Sequence, residues 1–452
     1  MPPLNDAARK PTATLTPTNS MDISTLSDRR ARLLAAMGTG VAVIPTAPEK
    51  LRNRDSHYPY RADSYFHYLS AFPEPEAVLV LVAGAEPKSL LFCRDKDVER
   101  ETWEGFRYGP EAACERFGFD GAHSIKTLDE KLVELLANQP SLWFSLGHDA
   151  AWDARITQAL NAVRAQTRTG ARAPAEIRDV RCAIDAMRLI KDSQEIDVMR
   201  RAADISARAH RRAMRAAAPG RFEYQIEAEL LHEFRAGGSQ APAYTSIVAG
   251  GANACILHYV DNSRCLRDGD MLLIDAGCEL DGYASDITRS FPVNGRFSGP
   301  QADIYDLVLD AQAAAIAAIR PGADFNEPHA QALKVLVQGL VDLGLLHGAV
   351  DGIIESEAYK RFYMHRTSHW LGLDVHDAGE YKQGGQWVAL QPGMVLTIEP
   401  GCYIRAADDV PPAFHDIGVR IEDDALVTPD GCDILSREAP KTIADIEALM
   451  AE

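Results

Sequence analysis

The chain has 452 residues, 46% of them hydrophobic and 25% charged, and a formal net charge of −18. That length exceeds one ordinary core and predicts two domains. The acidic balance excludes a broad nucleic-acid-binding face, and the absence of any run of about 18 apolar residues excludes a membrane-spanning helix.

Residues 1–20, MPPLNDAARKPTATLTPTNS, lack the apolar core of a signal peptide, and their Pro, Thr and Asn content predicts a disordered tail. Met21 opens MDISTLSDRRARLLAAM, the first stretch with structured character, and is an alternative start. Over residues 21–185 apolar runs alternate with helical ones. Gly40–Pro45, Ala77–Val82 and Ser141–Gly147 read as strands, and Leu128–Ala137 as a helix. This alternation predicts an N-terminal α/β domain. Arg168–Pro174, basic and carrying Gly and Pro, reads as a linker. The eight cysteines include no C-x-x-C pair and sit mostly in apolar or strand-like surroundings, which predicts buried reduced thiols in a cytoplasmic protein rather than a disulfide frame.

Residues 186–452 form the second expected domain. Asp192 and Glu195 have capping-box spacing ahead of a long helix (Ile196, Met199, Ala203) that must stop by Pro219-Gly220. A second helix carries Ile226, Leu230 and Phe234 on one face and ends at Gly237-Gly238. A third is opened by Pro300 and closed by Pro321-Gly322. A fourth runs from about Pro328 to Leu343. Strand-like segments follow to about residue 430.

Between the second and third helices lies LLIDAGCELDGYASDIT, two runs around a Gly-containing turn. Folding it between Leu280 and Asp281 sets Asp275 opposite Asp286. Two ionised carboxylates at ~4 Å repel by ~4 kcal/mol at an effective dielectric of ~20. A cation between them removes that cost.

Three later stretches carry further candidate ligands: MHRTSHWLGLDVHD with His365, His369 and His376, VLTIEPGCY with Glu399, and IGVRIEDD with Arg420 and Glu422. Singly each has a bland reading. His369 beside Trp370 and Leu371 reads as a core histidine, Glu399 as a loop residue and Glu422 as part of a solvated face. Together, three apolar strands end in or contain an acid where an apolar residue is expected, with a histidine-rich loop between them.

These segments resemble the metallo-aminopeptidase/prolidase ("pita-bread") family, and within it the aminopeptidase P subfamily. The likeness extends to YPYRADSYFHYLSAFPEPEAVLVL, MRLIKDSQEI and IVAGGANACILHY. It implies an α+β pita-bread catalytic domain behind the α/β domain. It also implies two divalent cations held by Asp275, Asp286, His369, Glu399 and Glu422, with Asp286 and Glu422 bridging. Four carboxylates balance two such cations, and hard oxygens with one imidazole suit Mn²⁺ first, then Co²⁺ or Zn²⁺. The implied activity is release of the N-terminal residue from peptides with proline at position two, by a hydroxide held between the metals. His258, His365, His376 and Arg420 are the implied catalytic and substrate-binding groups. Tyr403 joins them around the proline ring, and Trp103 is expected from a neighbouring subunit of a dimer or tetramer. Arg168 is a further candidate contact. Two alternatives stand beside this reading: prolidase, which cleaves Xaa-Pro dipeptides, and a metal-free creatinase-like protein or binding module. One departure is visible. Arg366 stands where the family commonly has Gly, and a positive φ there would strain it.

Overall fold

The computed structural model describes residues 21–452, so the tail expected for residues 1–20 lies outside the described residues. The N-terminal region is built on a six-stranded mixed sheet. Its order is Gly121–Ser124, Lys88–Cys93, Val78–Ala83, Gly40–Pro45, Ser141–Trp143, Glu176–Arg178. The inner strands are apolar on both faces because both are covered. Val41, Val43, Val78 and Val80 pack on Leu128, Leu132, Ile156 and Leu160. The alternate residues Ala42, Ile44, Leu79 and Leu81 share a core with Leu26, Leu33, Phe66 and Leu69. That second core continues into the C-terminal region through Ile184, Val198 and Leu280.

The expected linker at Arg168–Pro174 does not leave this domain. It leads into Glu176–Arg178, which pairs in parallel with Ser141–Trp143 of the same sheet. The expected strand Ser141–Gly147 is likewise shorter, ending at Trp143. All eight cysteines are free, but they are not all buried as expected: Cys93, Cys255, Cys278 and Cys402 are, whereas Cys182 is exposed.

The C-terminal region sets four long helices (Ser193–Ala216, Glu223–Ala236, Gly299–Ala317 and Glu327–Asp342) against small antiparallel sheets. Asp192 caps the first of these helices. Its side chain accepts from Glu195 N at 3.0 Å, while Glu195 Oε2 accepts from Asp192 N at 3.0 Å. This reciprocal box satisfies two otherwise orphaned donors. Ser298 and Gln301 form a second box, with Pro300 inside the first turn.

Ion pairs join the two regions. Arg29 Nη2 lies 2.7 Å from Asp192 Oδ2 and 3.2 Å from Glu195 Oε2. Arg61 Nε lies 2.6 Å from Glu279 Oε2. Arg188, on the connecting helix Val180–Leu189, lies 2.6 Å from Asp377, and Lys191 lies 2.9 Å from the same carboxylate. Arg188, Lys191 and Asp377 are all buried. The loop they grip carries His376 and follows His369.

Candidate metal centre

The acidic hairpin forms, but in a different register from the expected one. Strand Met271–Asp275 runs antiparallel to Thr288–Pro292, and Asp275 faces Thr288, not Asp286. The turn is the two-residue Asp281-Gly282, with φ of 49° and 86°. Two successive positive φ values match a turn whose twist suits the flanking strands, and Asp-Gly suits that turn. The pairing therefore centres between Asp281 and Gly282. Asp286 falls in the break between Tyr283–Ala284 and Thr288–Pro292, held by its backbone N–H on the Asp424 carboxylate at 3.2 Å. Tyr244 still brings the two acids together. Its Oη lies 2.6 Å from Asp275 Oδ1 and 2.5 Å from Asp286 Oδ1. A phenol has one proton to donate, so two carboxylates compete for it.

Glu399 directly follows the strand Val395–Ile398, and its N–H is fixed on the Thr367 carbonyl at 2.8 Å. His369 is oriented from behind. Its Nδ1 lies 2.9 Å from the Trp370 carbonyl, which only accepts, so Nδ1 carries the proton. The other nitrogen, Nε2, then faces Asp286 Oδ2 at 3.4 Å and Glu399 Oε1 at 3.5 Å, the place a cation or a proton takes between them. This is how a ligating imidazole is held by its other nitrogen. Glu422 accepts from Thr288 Oγ1 at 2.6 Å. Asp286, His369 and Glu422 each offer a ligand atom, and these atoms lie within 4.8 Å of one another.

The electrostatics fit cations. Burial, then the charges of Asp286, Glu399 and Asp275, push the Glu422 carboxyl well above its ordinary value. Burial pushes Glu399 up to about 7, against the pull of His369 and Arg420. Burial also raises Asp275, although Arg420 opposes it. His369 goes the other way. Burial alone lowers it, but the hydrogen bond to Asp286 and the charge of Glu399 lift it to about 9. Buried acids that resist ionisation together, around a prepared imidazole nitrogen, are a donor set suited to divalent metal.

Arg420 sits behind this cluster. Its Nη2 lies 2.6 Å from Asp275 Oδ2, Nη1 donates to Tyr403 Oη at 3.0 Å, and Nε donates to Thr288 Oγ1 at 3.1 Å. Tyr403 Oη in turn lies 2.8 Å from His365 Nε2, and His365 Nδ1 lies 2.8 Å from the Arg366 carbonyl. Both nitrogens of His365 are therefore occupied. Burial, reinforced by Arg420, holds that ring neutral, with a pKa near 3.

These groups line a cavity of about 690 Å³. Its walls include the five expected ligands with His258, His365, His376 and Arg420, and apolar Ile247, Leu257, Val260 and Val375. His376 packs edge-to-face on His369, with ring centroids 4.3 Å apart. Two expected contacts, Tyr403 and Arg168, fall outside this cavity, and Trp103, expected at a neighbouring subunit's site, is not in it either. Tyr403 is fully buried behind Arg420 and is not part of the cavity wall. Trp103, on the helix Val98–Glu104, is 84% exposed on the N-terminal domain and does not reach the cavity of its own chain. Arg168 is exposed on the turn Thr167–Thr169, also away from it. Arg366 has no positive φ, so the expected strain is absent. Tyr244 and Thr288 are site residues that the sequence reading missed. Both are hydroxyl residues in apolar strand-like surroundings, with no charge to single them out.

Comparison with known proteins follows this geometry. The signature of metallopeptidase family M24 matches residues 197–429, and that of the aminopeptidase P N-terminal domain matches residues 26–143. The Xaa-Pro aminopeptidase of Escherichia coli K12 is 45% identical over 425 residues, which is 93% of this chain and 96% of that protein. Human Xaa-Pro aminopeptidase 3 is 36% identical over 91% of this chain and 80% of its own length. The structure of Pseudomonas aeruginosa aminopeptidase PepP superposes with a TM-score of 0.94 at 50% identity, covering 95% of this chain and 98% of that one. A variant of Escherichia coli aminopeptidase P in complex with substrate superposes with a TM-score of 0.93 at 44% identity, covering 95% and 98%. With an N-terminal α/β domain and a C-terminal pita-bread domain, the chain belongs to metallopeptidase family M24, in its aminopeptidase P branch.

Proposed function

We propose that this protein is a divalent-metal-dependent aminopeptidase that releases the first residue of peptides whose second residue is proline. The observation that carries it is His369. Its Nδ1 is committed to a carbonyl and its Nε2 is aimed between Asp286 and Glu399, in a cavity whose other acids are Asp275 and Glu422. The names of the relatives support the Xaa-Pro preference.

In this reading Asp275, Asp286, His369, Glu399 and Glu422 hold two divalent cations, Mn²⁺ before Co²⁺ or Zn²⁺, because most donors are hard oxygens. When bound, such cations supply a nucleophilic water near neutral pH and polarise a carbonyl. The protein's own groups do the rest. Arg420 offsets the charge of Asp275 and ties it to Tyr403. His258 and His376 face the cavity and donate to the substrate carbonyl oxygen as charge builds on it. His365, with both nitrogens engaged, acts through Tyr403 and positions Arg420. A prolyl amide has no N–H to recognise, so ring shape must select it. Leu257, Val260 and Val375 offer that apolar contact.

Residues 186–452 carry the catalysis and residues 21–185 support it. Exposed Trp103 suits a role at the site of a neighbouring copy, in a dimer or tetramer. No helix of the described residues is long and apolar enough to cross a membrane. The free cysteines suit a reducing, cytoplasmic setting.

The test is an assay of Xaa-Pro, Xaa-Pro-Yaa and Xaa-Ala-Yaa peptides after chelation and Mn²⁺ restoration. Cleavage of Xaa-Pro-Yaa that depends on the metal is expected. Cleavage of Xaa-Pro alone would shift the reading to prolidase, and hydrolysis that survives complete metal removal would end it.

A further inference from the structure

An aminopeptidase holds one residue before the bond it cuts, and everything after that bond must leave through the mouth of the cavity. What stands at the mouth therefore meets the far end of the substrate. Apart from the histidines, two cationic side chains line this cavity, Arg366 and Arg420. Arg420 is buried and fully engaged, with Asp275, Tyr403 and Thr288 taking its three nitrogens. Arg366 is exposed.

Arg366 is also held in place. Its guanidinium carbon lies 4.8 Å from the centre of the Trp387 ring, and Nη2 donates to Asn326 Oδ1. Lys382 Nζ lies 4.1 Å from the same ring centre and adds positive charge nearby. The Arg366 Nε and Nη1 make no hydrogen bond among the described residues. A stacked, anchored guanidinium with two spare donors suits a carboxylate better than a mobile lysine would.

We infer that Arg366 is a specificity-determining residue that binds a carboxylate on the leaving side of the substrate, the free C-terminus of a short Xaa-Pro-Yaa peptide. The inference rests on the Xaa-Pro aminopeptidase reading and goes beyond it by naming a preference for short free-acid peptides. An acidic side chain at the third position offers the same chemistry, so the test separates the two sources.

The experiment measures kcat and KM for the Mn²⁺-restored enzyme on three peptides: Xaa-Pro-Ala free acid, Xaa-Pro-Ala amide and Xaa-Pro-Glu amide. Wild type is expected to favour the free acid over the amide by about tenfold in kcat/KM, chiefly through KM, as one hydrogen bond to a charged group allows. The preference should shrink in high salt. In Arg366→Ala it should fall toward one, and Arg366→Lys should keep part of it. A preference carried by the Glu amide instead upholds the assigned carboxylate and moves its source to a side chain. If Arg366→Ala leaves the ratios unchanged, or lowers all three peptides alike, the residue only braces Trp387 and Asn326, and the inference falls. Failure of wild type to cut any Xaa-Pro peptide would instead bring down the function on which the inference stands.

Discussion

Arg420 and Asp275 form a buried ion pair at 2.6 Å, so one expected metal ligand is already partly neutralised by the protein. The same guanidinium reaches Glu422 indirectly, because Thr288 accepts from Arg420 and donates to Glu422. Two acids far apart in the sequence are thus set by one planar group. Lysine keeps the charge but not the fork. Arg420→Lys is expected to lower kcat/KM by about 100-fold, equivalent to ~3 kcal/mol from a broken buried pair. Steady-state kinetics on Xaa-Pro-Yaa, with circular dichroism to show the fold intact, checks this. Near wild-type activity would show that the charge alone is needed.

Removing the metal should cost stability as well as activity. A ligand that binds only the folded chain stabilises it in proportion to the logarithm of its concentration over Kd. Without cations, Asp275, Asp286, Glu399 and Glu422 are left facing one another in a buried cavity. Chelation is expected to lower the unfolding midpoint by several degrees, and added Mn²⁺ to restore it. His369→Ala should weaken that restoration, because its Nε2 is the one nitrogen donor among the five expected ligands. Scanning calorimetry with and without Mn²⁺ reads both effects. A midpoint indifferent to chelation would mean that the cluster holds no cation.

The sequence showed the N-terminal α/β domain, the four long helices and the acid-bearing strands, because each rests on local signals: the capping box at Asp192, Pro300 opening the third helix, and apolar runs broken by an acid. It misjudged what depends on register. Folding the hairpin between Leu280 and Asp281 put Asp275 opposite Asp286, whereas the Asp281-Gly282 turn, centred one residue later, puts Thr288 there. It also missed Tyr244, since a tyrosine in a strand-like run has an ordinary core role unless its hydroxyl is known to meet carboxylates. Trp103 shows a different limit. Its 84% exposure becomes meaningful only beside another molecule, which one chain's sequence does not display.

Asp377 is gripped by Arg188 and Lys191, while its N–H donates to the Trp370 carbonyl at 2.9 Å. Those contacts close the segment 370–377 on itself and tie it to the connecting helix. Asp377→Ala would leave two buried cations without their shared acid. Breaking a buried pair in this way costs about 3–5 kcal/mol. A lower urea midpoint is expected, with KM raised because His376 is the adjacent residue. Arg188→Met alongside Asp377→Ala should recover part of the stability, which a double-mutant cycle would measure.

Acid should weaken the fold through His210. This residue is fully buried on the helix Ser193–Ala216, and its Nε2 donates to the Ala276 carbonyl at 2.9 Å, next to Asp275. Burial pushes its pKa down to about 4 from an ordinary 6.5. The folded protein therefore keeps the ring neutral, while the unfolded chain takes up a proton near pH 6.5. Between those values the unfolded state binds more protons, so stability is complete above 6.5 and declines as pH falls toward 4. At pH 5 the loss from this one group amounts to about 2 kcal/mol. Carboxylates titrate over the same range, so the comparison must be made against His210→Gln, which keeps a donor but cannot ionise. Urea unfolding of both proteins in chelator, at pH 7.5 and pH 5, isolates the histidine. The variant is expected to start less stable and to lose less on acidification. Equal losses in the two proteins would mean that the proton driving acid sensitivity lands elsewhere.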